Sequence, residues 1–143
     1  MNPSLAPRRK RRGRDAKERY VKMAKAKVLK IPARGDWEFA EVETESDGNI
    51  PLEAMKAIVG GWVERWELYG HALDGLDLFL NEEGKLNGLS YNPKATVLSG
   101  IAMHGDCIVG DAFVCGHDNE GRSVGLFDAQ ELALRRRLND LGI

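Results

Sequence analysis

The apolar positions of this chain change period several times, and each change predicts an element. Residues 28–31 form a short apolar run stopped by Pro32, which reads as a strand. Trp37, Phe39, Ala40 and Val42 then alternate with Glu38, Glu41 and Glu43, a strand with one wet, acidic face. Leu52, Met55, Ile58 and Val59 make a helical stripe behind Pro51, which suits a first helical turn. Gly60 and Gly61 end that helix, because glycine adopts the left-handed cap without a Cβ penalty. Residues 62–68 alternate again, and residues 76–80 are a stronger strand. The run Asn81-Glu82-Glu83-Gly84-Lys85 reads as a hairpin turn with Gly84 at positive φ. Asn92 and Pro93 start a short helix through Leu98. Residues 106–116 are rich in strand formers and broken at Gly110-Asp111. Residues 118–121 are a turn and 123–127 a strand. Asp128 and Glu131 make a capping box opening a last helix striped by Leu134, Leu138 and Leu141.

These elements predict an α+β fold: a twisted, mostly antiparallel sheet of about five or six strands packed on two or three helices. Only one strong helix lies between strands, which argues against a doubly wound parallel sheet. A further helix is predicted ahead of the body. Asp15 and Glu18 form its capping box, Ala16, Tyr20, Met23 and Ala24 its thin apolar stripe, and Lys17, Lys22 and Lys25 lie away from that stripe.

Charge changes this picture more than composition does. The 143 residues carry a net charge of −1. Residues 1–36 hold 13 Lys/Arg against 3 Asp/Glu, and residues 37–143 hold 8 against 19. Three regions are therefore expected: a disordered basic tail over 1–14, a basic helix and linker over 15–36, and an acidic α+β domain over 37–143. No apolar run reaches the roughly 20 residues of a membrane span, and none of about 7–15 follows the first basic residues as in a secretory signal. Two cysteines are too few for a disulfide scaffold. Both points lead to an expected cytoplasmic setting with no membrane partner.

Three stretches in order carry a resemblance. They are L-E-A-M-K-A-I-V-G-G-W-V-E from Leu52, N-E-E-G-K-L-N-G-L-S-Y-N-P-K-A-T from Asn81, and D-C-I-V-G-D-A-F-V-C-G from Asp106. Over roughly residues 38–132 the chain resembles the family catalogued as domain of unknown function 3846. Its matching positions include Leu52, Val59, Gly60, Gly61, Gly84, Lys85, Gly88, Asn92, Gly110 and Gly116. Pro93 and Lys94 stand where the family usually has Arg. The resemblance implies a phage, mobile-element or actinobacterial setting and no assigned activity.

Two groups of residues are candidate sites. Arg8, Arg9, Lys10, Arg11, Arg12 and Arg14, extended by Lys17, Lys22 and Lys25, suit sequence-independent contact with nucleic-acid phosphates. Only Tyr20 supplies an aromatic there, so base stacking is not indicated. Asn81, Glu82 and Lys85, with Asn92 near them, bring an amide, a carboxylate and an amine together for a polar ligand or acid–base work. A solvated turn uses the same residue types, and Asn81 can cap it with its own side chain.

Other constellations are weaker. His104, Cys107, Cys115 and His117 have zinc-like spacing. A hairpin at Gly110-Asp111 would set His104 opposite His117 but turn Cys107 to the other face, and one continuous strand would set Cys107 and Cys115 roughly 26 Å apart, so no metal site is expected. Ser90, His104 and Asp106 make a triad only on paper. No phosphate loop, dinucleotide fingerprint or nucleophile elbow occurs, so no cofactor and no enzyme are expected. Trp62 and Trp66 read as core or interface anchors. The expected function is a non-enzymatic accessory protein whose basic arm binds nucleic acid and whose acidic body binds a host or phage protein. An acidic decoy of a host nucleic-acid enzyme, or a ligand sensor or enzyme centred on residues 81–85, are the alternatives.

Overall fold

A computed structural model describes residues 24–143. Among the described residues, six strands and three α-helices follow one another as β1 (Lys25–Ile31), β2 (Glu38–Glu43), α1 (Leu52–Val59), β3 (Val63–Glu67), β4 (Leu76–Asn81), α2 (Pro93–Ser99), β5 (Ala112–His117), β6 (Ser123–Val124) and α3 (Asp128–Leu141). A 3-10 turn, Ile101–His104, follows α2. The strands form one antiparallel sheet in the order β2-β1-β5-β4-β3, with β6 on the end of β5. The α+β architecture expected from the periodicities is the one observed.

Two hairpins, β1–β2 and β3–β4, are joined through β5, which pairs Val114 with Leu29 on one side and with Leu78 on the other. Every residue of β4 is buried, because helices cover both faces of the sheet. Met55 and Val59 of α1 pack with Val28, Phe79 and Phe113 on one face. Leu98, Leu134 and Leu138 of α2 and α3 pack with Leu29, Leu78 and Val114 on the other. Phe79 and Phe113 stack with ring centroids 5.3 Å apart. Each such side chain contributes about 1.5–3 kcal/mol by leaving water.

The folded unit begins earlier than the boundary expected between residues 36 and 37. β1 lies inside the sheet, between β2 and β5, so the expected linker contains an interior strand. Lys25 belongs to that strand and pairs with Glu43, not to a basic helix. Ala26 and Val28 alternate with Lys25 and Lys27, and burying the apolar pair under α1 sets a period of 2. Ala24, expected on the stripe of the basic helix, is buried just ahead of β1 and is not helical; the expected tail and the remainder of the expected helix lie outside the described residues.

Three local expectations also give way. Residues 106–116 form neither a hairpin at Gly110-Asp111 nor one continuous strand, the two readings open for them: Val109 bridges to Tyr91, while β5 pairs with β1 and β4. The turn after β4 is not a hairpin turn either, since β4 pairs with β3, which precedes it, and with β5, which follows only after α2. The N-cap of α3 is Phe127, whose N–H donates to Gln130 Oε1 at 2.8 Å; a phenylalanine side chain has no acceptor to return the bond, so the box expected from Asp128 and Glu131 does not form. Glu131 instead accepts from Lys27 Nζ at 2.6 Å and from Arg135 at 2.9 Å.

Candidate functional site

Val63–Glu67 and Leu76–Asn81 run antiparallel, and the chain leaves Asn81 in a tight turn back across the sheet end. That path sets Glu82 and Lys85 beside Asp106 and Cys107, around a cavity of about 280 Å³. Glu64 closes one side, and Leu80, Ile101 and Val109 supply apolar wall. Gly84 lets the turn approach: a Cβ there would stand 2.9 Å from Val109 Cγ2 and 3.2 Å from the Val109 carbonyl oxygen. Its φ is not positive, so the glycine answers to a close approach and not to the left-handed turn geometry expected.

Lys85 Nζ donates to Asp106 Oδ1. That bond raises the Lys85 ammonium above its ordinary pKa. The same bond, followed by the Cys107 N–H, holds the Asp106 carboxyl below its own. Both groups are therefore charged at neutral pH. A lysine held as ammonium is a poor base, so the pair suits electrostatic binding better than proton transfer.

The two asparagines are spent on the fold. Asn81 is 6% exposed; its Nδ2 donates to the Val59 carbonyl at 3.1 Å and its Oδ1 accepts from the Glu83 N–H at 2.8 Å. It touches the cavity but has little left to offer a ligand. Asn92 does not line that cavity at all. It is fully buried and caps α2, its Oδ1 accepting from the Ala95 N–H at 3.0 Å. Of the four residues expected around the turn, the structure brings together Asn81, Glu82 and Lys85 and leaves Asn92 apart.

Arg8, Arg9, Lys10, Arg11, Arg12, Arg14, Lys17 and Lys22 lie outside the described residues. Lys25 Nζ is 3.9 Å from Glu43. Most cations of the body are likewise engaged by carboxylates: Lys27 by Glu131, Lys94 by Asp36, Arg65 by Glu67, and Arg122 by Asp47, Asp118 and Glu120.

The remaining constellations come apart. Ser90 Oγ accepts from Arg34, His104 lies edge-on to Trp66 at 5.4 Å, and Asp106 holds Lys85, so the three make no triad. Cys115 is buried in β5, and burial, followed by the charge of Asp77, pushes its thiol up to about 12. Among the described residues no group of three or more His, Cys, Asp or Glu is placed to hold a metal ion. Trp62 is 56% exposed with Lys56 Nζ 4.0 Å from its ring centroid, whereas Trp66 donates to the Ser99 carbonyl at 2.9 Å.

One pairing escaped the sequence reading. His117 Nδ1 lies 2.9 Å from Oδ2 of Asp77, a carboxylate only 1% exposed whose Oδ1 has no partner. The two residues are 40 positions apart and meet because β4 and β5 are neighbours. The one available signal was Asp77 itself, the one carboxylate in a strand whose other residues before Asn81 are apolar.

A family model described as "Domain of unknown function (DUF3846)" matches residues 26–139. The match starts inside β1 and ends inside α3, so it spans the sheet and all three helices. No curated protein and no solved structure matches the chain.

Proposed function

The chain belongs to the DUF3846 family, which carries no assigned activity, and from that premise we propose that it is a non-enzymatic accessory protein of a phage or mobile element. Its basic arm binds nucleic-acid phosphates without sequence preference, and its acidic body binds a protein partner in the bacterial cytoplasm. The observation that carries this reading is the distribution of charge. Residues 1–23 hold nine Lys/Arg against two Asp/Glu, whereas residues 24–143 hold 12 against 20. The body's cations are largely committed to its own carboxylates, as the pairs around Arg122 and Glu131 illustrate. Attraction for a polyanion therefore belongs to the arm, whose charges release counterions when they meet phosphates.

The test is a titration of duplex DNA and of RNA with the full chain at two salt concentrations, beside a variant with Arg8, Arg9, Lys10, Arg11, Arg12 and Arg14 changed to Gln. Loss of binding in the variant supports the reading. Equal binding by both chains, or none by the parent at physiological salt, overturns it.

The cavity beside Glu82 and Lys85 favours a second reading, a small polar ligand bound at the Asn81–Lys85 turn. A ligand that protects the parent chain from heat, but not a Lys85→Met variant, would support it.

A further inference from the structure

A cleft larger than the one beside Lys85 lies elsewhere on the body. It encloses about 470 Å³ between the last turn of α1 and the loop from β1 to β2, with residues 89–90 and 110–111 at its base. A second hollow of about 240 Å³ continues it, sharing Pro32, Ala57, Ile58 and Asp111. The combined space is within the ordinary range for small-molecule sites, roughly 300–1,000 Å³.

The β1–β2 loop carries Arg34, and four side chains from elsewhere in the chain hold this loop. Asn92 Nδ2 donates to the Ile31 carbonyl at 2.8 Å. Asp111 Oδ1 accepts from the Ala33 N–H at 2.9 Å. Lys94 Nζ donates to the Gly35 carbonyl at 3.3 Å and to Asp36 at 3.1 Å. Ser90 Oγ accepts from Arg34 Nη2 at 3.3 Å. The base is tied as well: Asn92 Nδ2 also donates to the Gly110 carbonyl, and the Gly110 N–H donates to the Ser90 carbonyl at 2.7 Å. An exposed hairpin loop needs no such clamping to close two strands. Clamped, it presents a guanidinium from a rigid base, which lowers the ordering cost of binding.

The chemistry of the lining selects a ligand class. Arg34 has five N–H donors, and Ser90 takes one. Because Ser90 Oγ accepts from Arg34, its own proton is free to be donated into the cleft. Two donor types side by side call for an oxyanion, and the planar fork of arginine matches a carboxylate. Pro32, Ile58, Val59 and Leu89 offer an apolar wall. Asp111 and the carbonyl end of α1 add negative potential, which disfavours a multiply charged phosphate. We infer that this cleft is a binding site for a small organic monocarboxylate with an apolar body, held by Arg34 and Ser90. The site is independent of the arm, so the two proposals succeed or fail separately.

Benzoate is a suitable probe, with neutral benzamide and inorganic phosphate as comparators, titrated into the full-length protein and followed by the methyl resonances of Ile58 and Leu89. The expected result is saturable shifts with benzoate and weaker or no response to benzamide and phosphate. Arg34→Gln should weaken benzoate about tenfold or more, and Ser90→Ala by a few-fold. Arg136→Gln, on the far side of the sheet, removes the same charge and should leave the affinity unchanged. No shifts with benzoate, equal shifts with benzamide, or unaltered affinity in Arg34→Gln each overturn the proposal.

Discussion

The side-chain amide of Asn92 donates to the Ile31 carbonyl and to the Gly110 carbonyl, each at 2.8 Å, and so ties the end of β1 to the residue two positions before β5. The same side chain caps α2 through its oxygen. One fully buried residue thereby satisfies three backbone groups from three segments. Asn92→Ala should cost about 3 kcal/mol or more, since it strands two buried carbonyls and removes a helix cap. Asn92→Asp keeps the acceptor for the cap but faces a carboxylate with two carbonyls, so it should not rescue. Urea unfolding with an unchanged slope measures both.

Glu131 accepts from Lys27 and Arg135, and those bonds, Lys27 first, hold its carboxyl below the ordinary value of 4.5. A depressed pKa means stabilisation that is present at neutral pH and lost as pH falls from about the unfolded value through the folded one. Glu131→Gln should therefore lower the melting temperature at pH 7. The gap between the two proteins should narrow on acidification to pH 3. A gap that persists undiminished in acid would assign the loss to packing instead.

Cys115 is buried with its thiol pushed up to about 12, while Cys107 is half-buried at the cavity near Lys85. Thiolate is the reactive form, so the two should differ sharply. A disulfide reagent should modify one thiol in the native protein, Cys107, and both in denaturant. Fast labelling of Cys115 in native conditions would show that β5 opens locally.

Gly84→Ala places a methyl 2.9 Å from Val109 Cγ2 and 3.2 Å from its carbonyl oxygen. The backbone oxygen cannot rotate away, so the turn must shift, at a cost of about 1–3 kcal/mol. Adding Val109→Ala should recover only the part due to the side chain, and a double-mutant cycle of melting temperatures measures that share.

For nucleic acid, six phosphate contacts by residues 8–14 predict a slope of log K against log salt of about −5 on duplex DNA. Replacing those six charges by Gln should flatten the slope by that amount. A slope unchanged by the substitution would place the contacts on the body.

Much of the fold was legible in residue order. The stripe Leu52, Met55, Ile58, Val59 ending at Gly60 is α1 with its left-handed cap, and the run after Gly75 is β4. Such elements depend on interactions within a few residues, where periodicity and capping act directly. The half of the candidate site within five residues, Asn81 to Lys85, was legible for the same reason.

What only the tertiary structure decided is every partnership between distant segments. Residues 106–116 read locally as a strand-rich run broken at Gly110-Asp111, with a hairpin or one continuous strand open to it, but pairing β5 with β1 and β4 buries Phe113 and Val114 on both faces of the sheet, which a hairpin with residues 106–109 does not. Lys25 reads locally as the end of a basic helix, but burial of Ala26 and Val28 under α1 requires a strand. Asn92 reads as a cap, and its two further bonds exist only once β1 and Gly110 are brought beside it. Local pattern determined which elements exist. The burial available to each strand against segments far away in the chain determined where they went, and with them the clefts that Lys85 and Arg34 line.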